Sequence, residues 1–170
     1  MGKARLRPIR IKGNVAFITL TQGHVAIVDV SDLGIVEKYH WSARVSRNTV
    51  YGQRADWSTG KAKLIRLHRD IMKAPVGVQV DHISGDGLDN RRANLRLATN
   101  AENTRNMRLG SDNTSGFKGG SFRKDTQRLR AYIVLDGVHH TLGCYDTRGE
   151  AHEAYCAAST RLHGRFGRVA

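Results

Sequence analysis

Residues 80–103 read VDHISGDGLDNRRANLRLATNAEN and hold one histidine, four asparagines and three aspartates. Asp81 and His82 are adjacent, and Asn94 and Asn103 follow downstream. Asp81 closes an expected strand, so its carboxylate can point into the next loop. There it suits a hard cation such as Mg²⁺ or Mn²⁺. His82 offers a neutral imidazole, with an ordinary pKa of about 6.5, as a general base for activating water. Successive strand residues point to opposite faces, so both ligate one metal only with a local twist, but they can flank one phosphate from two sides. Asn103, one turn into an expected helix, can give a second ligand oxygen if that helix packs across the strands. Asn94, at the start of the following strand, can bind the loop backbone and hold the His82 ring. Each of these residues alone is ordinary in a polar loop, and only the combination points to chemistry.

The elements that must position them follow from local pattern. NVAFITL and HVAIVDV are β-branched runs parted by the turn signal TQG, so they read as strands. SDLGIVEKY reads as a short helix with a serine N-cap, and WSARVS, TVYGQRADW and KAKLIRL read as three more strands. Residues 68–73 suit a short helix ended by Ala74-Pro75. Around residues 80–103 the order is strand, glycine- and aspartate-rich loop, strand, and a helix beginning near Asn100. Residues 110–116, GSDNTSG, have the composition of a linker. Beyond them come three strands, with Asp136-Gly137 as the tight turn between the second and third, and a final helix closed by Gly164. In the middle strand Leu129, Ala131 and Ile133 alternate with Arg128, Arg130 and Tyr132, so one face packs on the helix and the other is cationic.

The run VDHISGDGLDNRRANLRLAT resembles the core of HNH endonucleases, especially the homing and phage type. The resemblance extends over residues 64–107 and includes LIRLHRDIM just upstream. It implies a ββα-metal core in which Asp81 and Asn103 bind one divalent ion, His82 is the base and Asn94 is the orienting asparagine. No histidine lies between His82 and His139, which resembles the H-N-N subgroup, where asparagine replaces the last histidine. That narrows the ion to Mg²⁺ or Mn²⁺ rather than a softer one. Asn90, Arg91 and Arg92 are candidates to hold flanking DNA backbone, and His68 and Arg69 are candidates for structural or phosphate contacts. Residues 113–166 resemble an AP2 DNA-binding domain through NTSGFKGGSF, the RAYI run and LGCYDTRGEAHEAYCAAS. That resemblance implies a DNA face of Lys118, Ser121, Arg123, Arg128, Arg130, Tyr132 and His139. Leu129 and Gly120 depart from the usual residues, so no base preference carries over.

The fold class expected is therefore α+β. A β-rich N-terminal module (1–63) precedes a ββα-metal HNH core (64–109), a linker (110–116) and an AP2-like sheet of three antiparallel strands packed on one helix (117–170). Charge agrees with a polyanionic partner: 28 Lys and Arg face 15 Asp and Glu, a net of +13 over 170 residues. Both halves are basic, with 17 cationic against 9 acidic residues up to Asn103 and 11 against 6 after it. Arg5, Arg7, Arg10 and Lys12 can grip DNA or form a disordered arm. Hydrophobic residues, at 39%, suffice for a core, and no run of eighteen apolar residues suits a membrane span. The basic start has no signal-peptide pattern and Gly2 no myristoylation pattern, so an intracellular protein is expected, not a secreted one. In a phage-encoded case that means the cytoplasm of a bacterial host. Cys144 and Cys156 make no metal-binding pattern. The reading is a nicking endonuclease for double-stranded DNA that acts as a monomer, with a dimer or a second encounter needed to cut both strands, and with 5′-phosphate and 3′-hydroxyl products. A non-catalytic DNA-binding regulator on the same scaffold and an RNA-directed nuclease stay open at this point.

Overall fold

A computed structural model describes residues 7–46 and 48–169. Arg5 and Gly2 lie outside these residues. The architecture is mixed α/β, with small antiparallel sheets and few helices. The chain divides into two compact units between Thr99 and Asn100.

The first unit opens with a three-stranded meander, β1 (Ile9–Lys12), β2 (Val15–Thr19) and β3 (Val25–Asp29), in that spatial order. Period-two alternation buries Ala16, Ile18, Ala26 and Val28 on one face. Within the described residues Arg10 and Lys12 stand in a strand and not in a disordered arm. Ile9 begins a strand that pairs with Ile18, and Arg10 lies over the Phe17 ring. After the short helix α1 (Leu33–Val36), a second sheet places β5 (Val50–Asp56) between β4 (Ser42–Val45) and β6 (Lys63–Arg66). Helix α2 (Leu67–Met72) follows at once. Six residues are too few for a helix to persist alone in water, so packing must hold it. Leu67 and Ile71 are wholly buried, and truncating either to alanine costs about 2–5 kcal/mol. Asp70 anchors the exposed side through Arg54 at 3.0 Å, and the Arg54 guanidinium itself stacks on Tyr39. The hairpin β7 (Gln79–His82) and β8 (Leu95–Ala98) pairs Asp81 with Arg96 and His82 with Leu95.

Val80 and Leu95 of this hairpin belong to the same hydrophobic cluster as Ile18, Val28, Val36, Trp41 and Leu67. Packing therefore draws no boundary at residues 63/64: the β-rich module and the hairpin share one core.

The second unit begins with α3 (Asn100–Asn106). Three strands follow, β9 (Gly120–Arg123), β10 (Arg128–Leu135) and β11 (Val138–Tyr145), with β10 central. Helix α4 (Arg148–His163) covers one face, where Ala131 and Ile133 meet Ala151, Tyr155 and Ala158. Thr147 and Glu150 form a reciprocal capping box at its start, a device worth about 1 kcal/mol. The physical reason α3 goes with this unit is visible in its partners. Lys118 Nζ donates to the carbonyls of Arg105 and Met107 at 2.7 and 2.8 Å, and Arg105 pairs with Asp136 at 3.4 Å. Cys144 and Cys156 are both free thiols. Among the described residues no helix is long and apolar enough to cross a membrane.

Candidate functional site

The loop of residues 83–94 is held like a further strand. Ile27 of β3 accepts from the Asn90 amide at 2.7 Å and donates to the Leu88 carbonyl at 2.8 Å. Gly87 donates to Thr49 Oγ1 at 2.9 Å, and a Cβ there would sit 2.5 Å from the Val50 carbonyl and 2.7 Å from the Tyr51 ring. Only glycine allows that approach. The polar spacing in the sequence therefore becomes a rigid loop through contacts made more than thirty residues away.

Asn94 clamps this loop from inside. Its Oδ1 accepts from the Ser84 amide at 2.9 Å and its Nδ2 donates to the Asp89 carbonyl at 2.8 Å, spending the side chain on backbone. The His82 ring is met by Asn90, whose Oδ1 lies 3.4 Å from Nε2. The Asn90 amide is oriented by donation from Nδ2 to the Leu88 carbonyl at 2.9 Å. With the oxygen facing the ring, Nε2 carries the proton and the lone pair lies on Nδ1. The expectation that Asn90 holds DNA backbone is corrected by its burial. It is 0% exposed, so it serves the interior instead.

His82 is itself buried, and burial is the foremost influence, holding its pKa below the usual imidazole value. Asn90, Asp81, Asp86 and Asp89 act the other way. The ring is thus neutral at neutral pH, the form a general base requires. His68 of α2 packs edge-on against it, with centroids 4.9 Å apart, and Tyr51 of β5 touches both rings at 5.5 and 5.9 Å. Burial, then the neighbouring His82, Arg66 and Arg69, push His68 down to about 3, so it is neutral as well. Its Nδ1 is buried without a hydrogen-bond partner. His68 is therefore a packing partner of His82 and not an outward contact to phosphate.

Asp81 is buried on β7, where its carboxylate receives Arg96 Nε at 2.7 Å. Arg69 donates to the carbonyls of Val78, Ala74 and Pro75 and so fastens the turn before β7. Of the two roles expected of it, structural or phosphate contact, these bonds are structural. Arg91 grips Asp89 through Nε and Nη2, and Arg92 chelates Asp32 while its amide donates to Asp29 at 2.8 Å. Both arginines stay half-exposed, with side chains 45% and 50% accessible. Of the residues singled out by sequence, Asp81, His82, Asn90, Asn94 and His68 lie in the first unit around this loop. Asn103 stands half-buried on α3 and belongs to the second unit.

No group of three or more His, Cys, Asp or Glu side chains converges among the described residues. Of the two residues expected to hold a cation, Asp81 lies in the first unit and Asn103 in the second. A carboxylate is a hard-oxygen donor of the kind a divalent cation takes, with water and substrate completing the shell. The Arg96 guanidinium against Asp81 competes with a cation there.

In the second unit the register places Arg123 opposite Arg128 and Ser121 opposite Arg130. Tyr132 stacks on His139 at 5.0 Å and receives Arg130 at 5.4 Å. These six residues occupy the face of the sheet away from Ala131 and Ile133. Arg123 and Arg128 are tied to Asp125 and Asp146 at 3.0 and 2.8 Å. Lys118 departs from the expected DNA face, because its ammonium caps the end of α3, and burial lowers its pKa to about 8.

Sequence reasoning missed Tyr51 and Arg66. No local pattern marks Tyr51, which meets His82 only through the fold. Arg66, two residues before His68, carried a signal only in the alternation of LIRLHRD.

Comparison with known proteins adds to this geometry. A family model described as HNH endonuclease matches residues 73–105, the span that holds Asp81, His82, Asn90, Asn94 and Asn103. The chain is 36% identical over 111 residues to Protein 3.8 of Escherichia phage T7, covering 62% of this chain and 91% of that protein. It is 30% identical over 159 residues to an uncharacterized HNH endonuclease of Acanthamoeba polyphaga mimivirus, covering 90% of this chain and 80% of that one. No solved structure matches.

Proposed function

The chain belongs to the HNH endonuclease family, and on that premise we propose that it is a metal-dependent endonuclease that nicks double-stranded DNA as a monomer. The observation that carries this reading is the buried, neutral His82 ring, fixed by Asn90 and packed by His68 and Tyr51 beside the Asp81 carboxylate. His82 Nδ1 takes a proton from water, whose oxygen bonds to phosphorus. The P–O3′ bond breaks, the electron pair leaves on the 3′-oxygen, and solvent protonates it, giving 5′-phosphate and 3′-hydroxyl ends. A Mg²⁺ or Mn²⁺ ion held by Asp81 and Asn103 would supply Lewis-acid polarisation of the phosphate. Asn94 keeps the loop in shape, and Arg96 pairs with the Asp81 carboxylate.

The three-stranded sheet of residues 120–145 acts in this proposal as an AP2-like reader, with Ser121, Arg123, Arg128, Arg130, Tyr132 and His139 toward DNA. Support comes from their shared face and from the net charge of +13. Arginines on a backbone position the duplex, and base-edge contacts select sequence. The homing-type designation rests on the resemblance of residues 64–107.

The deciding experiment incubates supercoiled plasmid with the full chain in Mg²⁺, Mn²⁺ or EDTA, beside His82→Ala. Open-circular product that needs the metal and vanishes in the variant is expected. Cleavage that survives unchanged in His82→Ala removes His82 from the chemistry, and binding without any cleavage makes the protein a regulator.

A further inference from the structure

The phosphodiester attacked beside His82 is an anion, and a fixed cationic side chain facing it would oppose the charge that grows there. From Arg54 to Arg96, most of the described arginines are already engaged. Arg54, Arg91, Arg92 and Arg96 have carboxylate partners, and Arg69 spends its guanidinium on backbone carbonyls. Arg66 is the exception. Its guanidinium donates to a neutral group, Gln53 Oε1, at 3.0 Å, and lies 5.6 Å from the centroid of the Tyr51 ring. The same Tyr51 ring rests against His82. Arg66 is half-buried at the end of β6, paired across the sheet with Gln53.

This is an arginine positioned without being neutralised. A neutral amide and an aromatic face fix its direction while leaving its full charge for an incoming anion. The contrast with the neighbouring ion pairs makes an accidental surface cation a poor description of it, because Gln53 and Tyr51 of the adjacent strand hold it, and the same Tyr51 ring meets His82.

Resting on the nuclease reading above, we propose that Arg66 is a catalytic residue that binds the non-bridging oxygens of the phosphodiester attacked by the His82-activated water. As water adds to phosphorus, negative charge grows on those oxygens, and a fixed guanidinium opposes that growth without moving. Gln53 is its positioning residue.

The test uses the full chain, a nicked-plasmid assay at saturating DNA, and DNA binding measured separately in EDTA. Arg66→Gln keeps much of the side chain's reach and its polarity and removes the charge. It is expected to lower the rate at saturation by about 10²–10³-fold, while binding in EDTA changes by less than about tenfold. Arg66→Lys should recover part of that loss, and added guanidinium should speed the Arg66→Gln variant but not the wild type. An Arg66→Gln protein that cuts at the wild-type rate overturns the assignment. So does one whose loss lies entirely in DNA affinity, which would make Arg66 a binding contact only. If Arg66→Gln loses its cooperative melting transition, Arg66→Lys decides: a folded Lys variant that keeps cutting supports a phosphate contact, and a Lys variant that also fails to melt cooperatively leaves a purely structural arginine. A wild-type chain that cuts no DNA under any metal removes the nuclease reading itself, whereas a cutting wild type with an unaffected Arg66→Gln removes this assignment alone.

Discussion

The loop of residues 83–94 and the sheet of residues 120–145 are both polar and both rich in arginine, yet they are built on opposite principles. In the loop the buried asparagines are held by backbone and ring partners, Asn94 by Ser84 and Asp89 and Asn90 by Leu88 and His82. Arg92 reaches the buried Asp32 sixty residues away, and Arg91 on Asp89 is a surface pair of the sheet's kind. On the sheet the arginines are half-exposed and tied to acids at the surface, Arg123 to Asp125 and Arg128 to Asp146. Buried polar networks fix geometry because an unmet partner there is expensive, while surface pairs contribute about 0–1 kcal/mol and exchange readily. The first arrangement suits chemistry, which needs groups held in place. The second suits an electrostatic contact that can adjust to a duplex.

The contrast breaks first at His82. Replacing it with alanine should lower nicking by at least about 10²–10⁴-fold, measured as single-turnover rate, with binding in EDTA nearly unchanged. Next comes Asn94→Ala, which leaves the Ser84 amide and the Asp89 carbonyl without their side-chain partner. About 1–3 kcal/mol of stability per unmet group should disappear in urea titration, with activity falling further than stability explains. Gly87→Ala tests the same loop from outside. Its methyl group would meet Val50 and Tyr51, and destabilisation by about 1–3 kcal/mol is expected, with an altered Tyr51–His82 packing.

A further effect concerns acid. The folded protein holds His68 near 3, chiefly through burial, whereas an unfolded chain has it at about 6.5. Below that value the unfolded state binds a proton that the folded state refuses. Stability from this site is therefore whole above about pH 6.5 and declines progressively as pH falls toward 3. His68→Phe should flatten the melting temperature across that window, and an unchanged acid slope would place the sensitivity elsewhere. The smallest effect belongs to the sheet. Arg128→Ala should change stability by less than about 0.5 kcal/mol. If Arg128 neutralises a phosphate, the same variant should bind DNA with a log–log salt slope shallower by roughly one unit.

Local pattern reached most of the elements. Alternation in NVAFITL and HVAIVDV, the Asp136-Gly137 turn and the Thr147 to Gly164 helix all lie within a few residues of where they act. β1 escaped because its outward Arg10 and Lys12 mask a four-residue strand whose evidence is its partner, β2. Site residue types were legible too, but roles were less so. Sequence suggests that Asn94 holds both loop and ring. The fold gives the loop to Asn94 and the ring to Asn90, a division that depends on which way two amides point. The AP2 resemblance implies a DNA contact at Lys118, and its ammonium turns instead to two carbonyls at the end of α3.

Sequence alone determined what is short-range: the identities at Asp81, His82, Asn94 and Asn103, the charge balance, and the strand-loop-strand-helix order, since each depends on spacing along the chain. Only the tertiary structure decided that His82 is buried, that Asn90 is interior, and that Arg66 meets Gln53 and the Tyr51 ring. Those properties are set by burial and by partners from β3, β5 and α2, which local sequence does not encode.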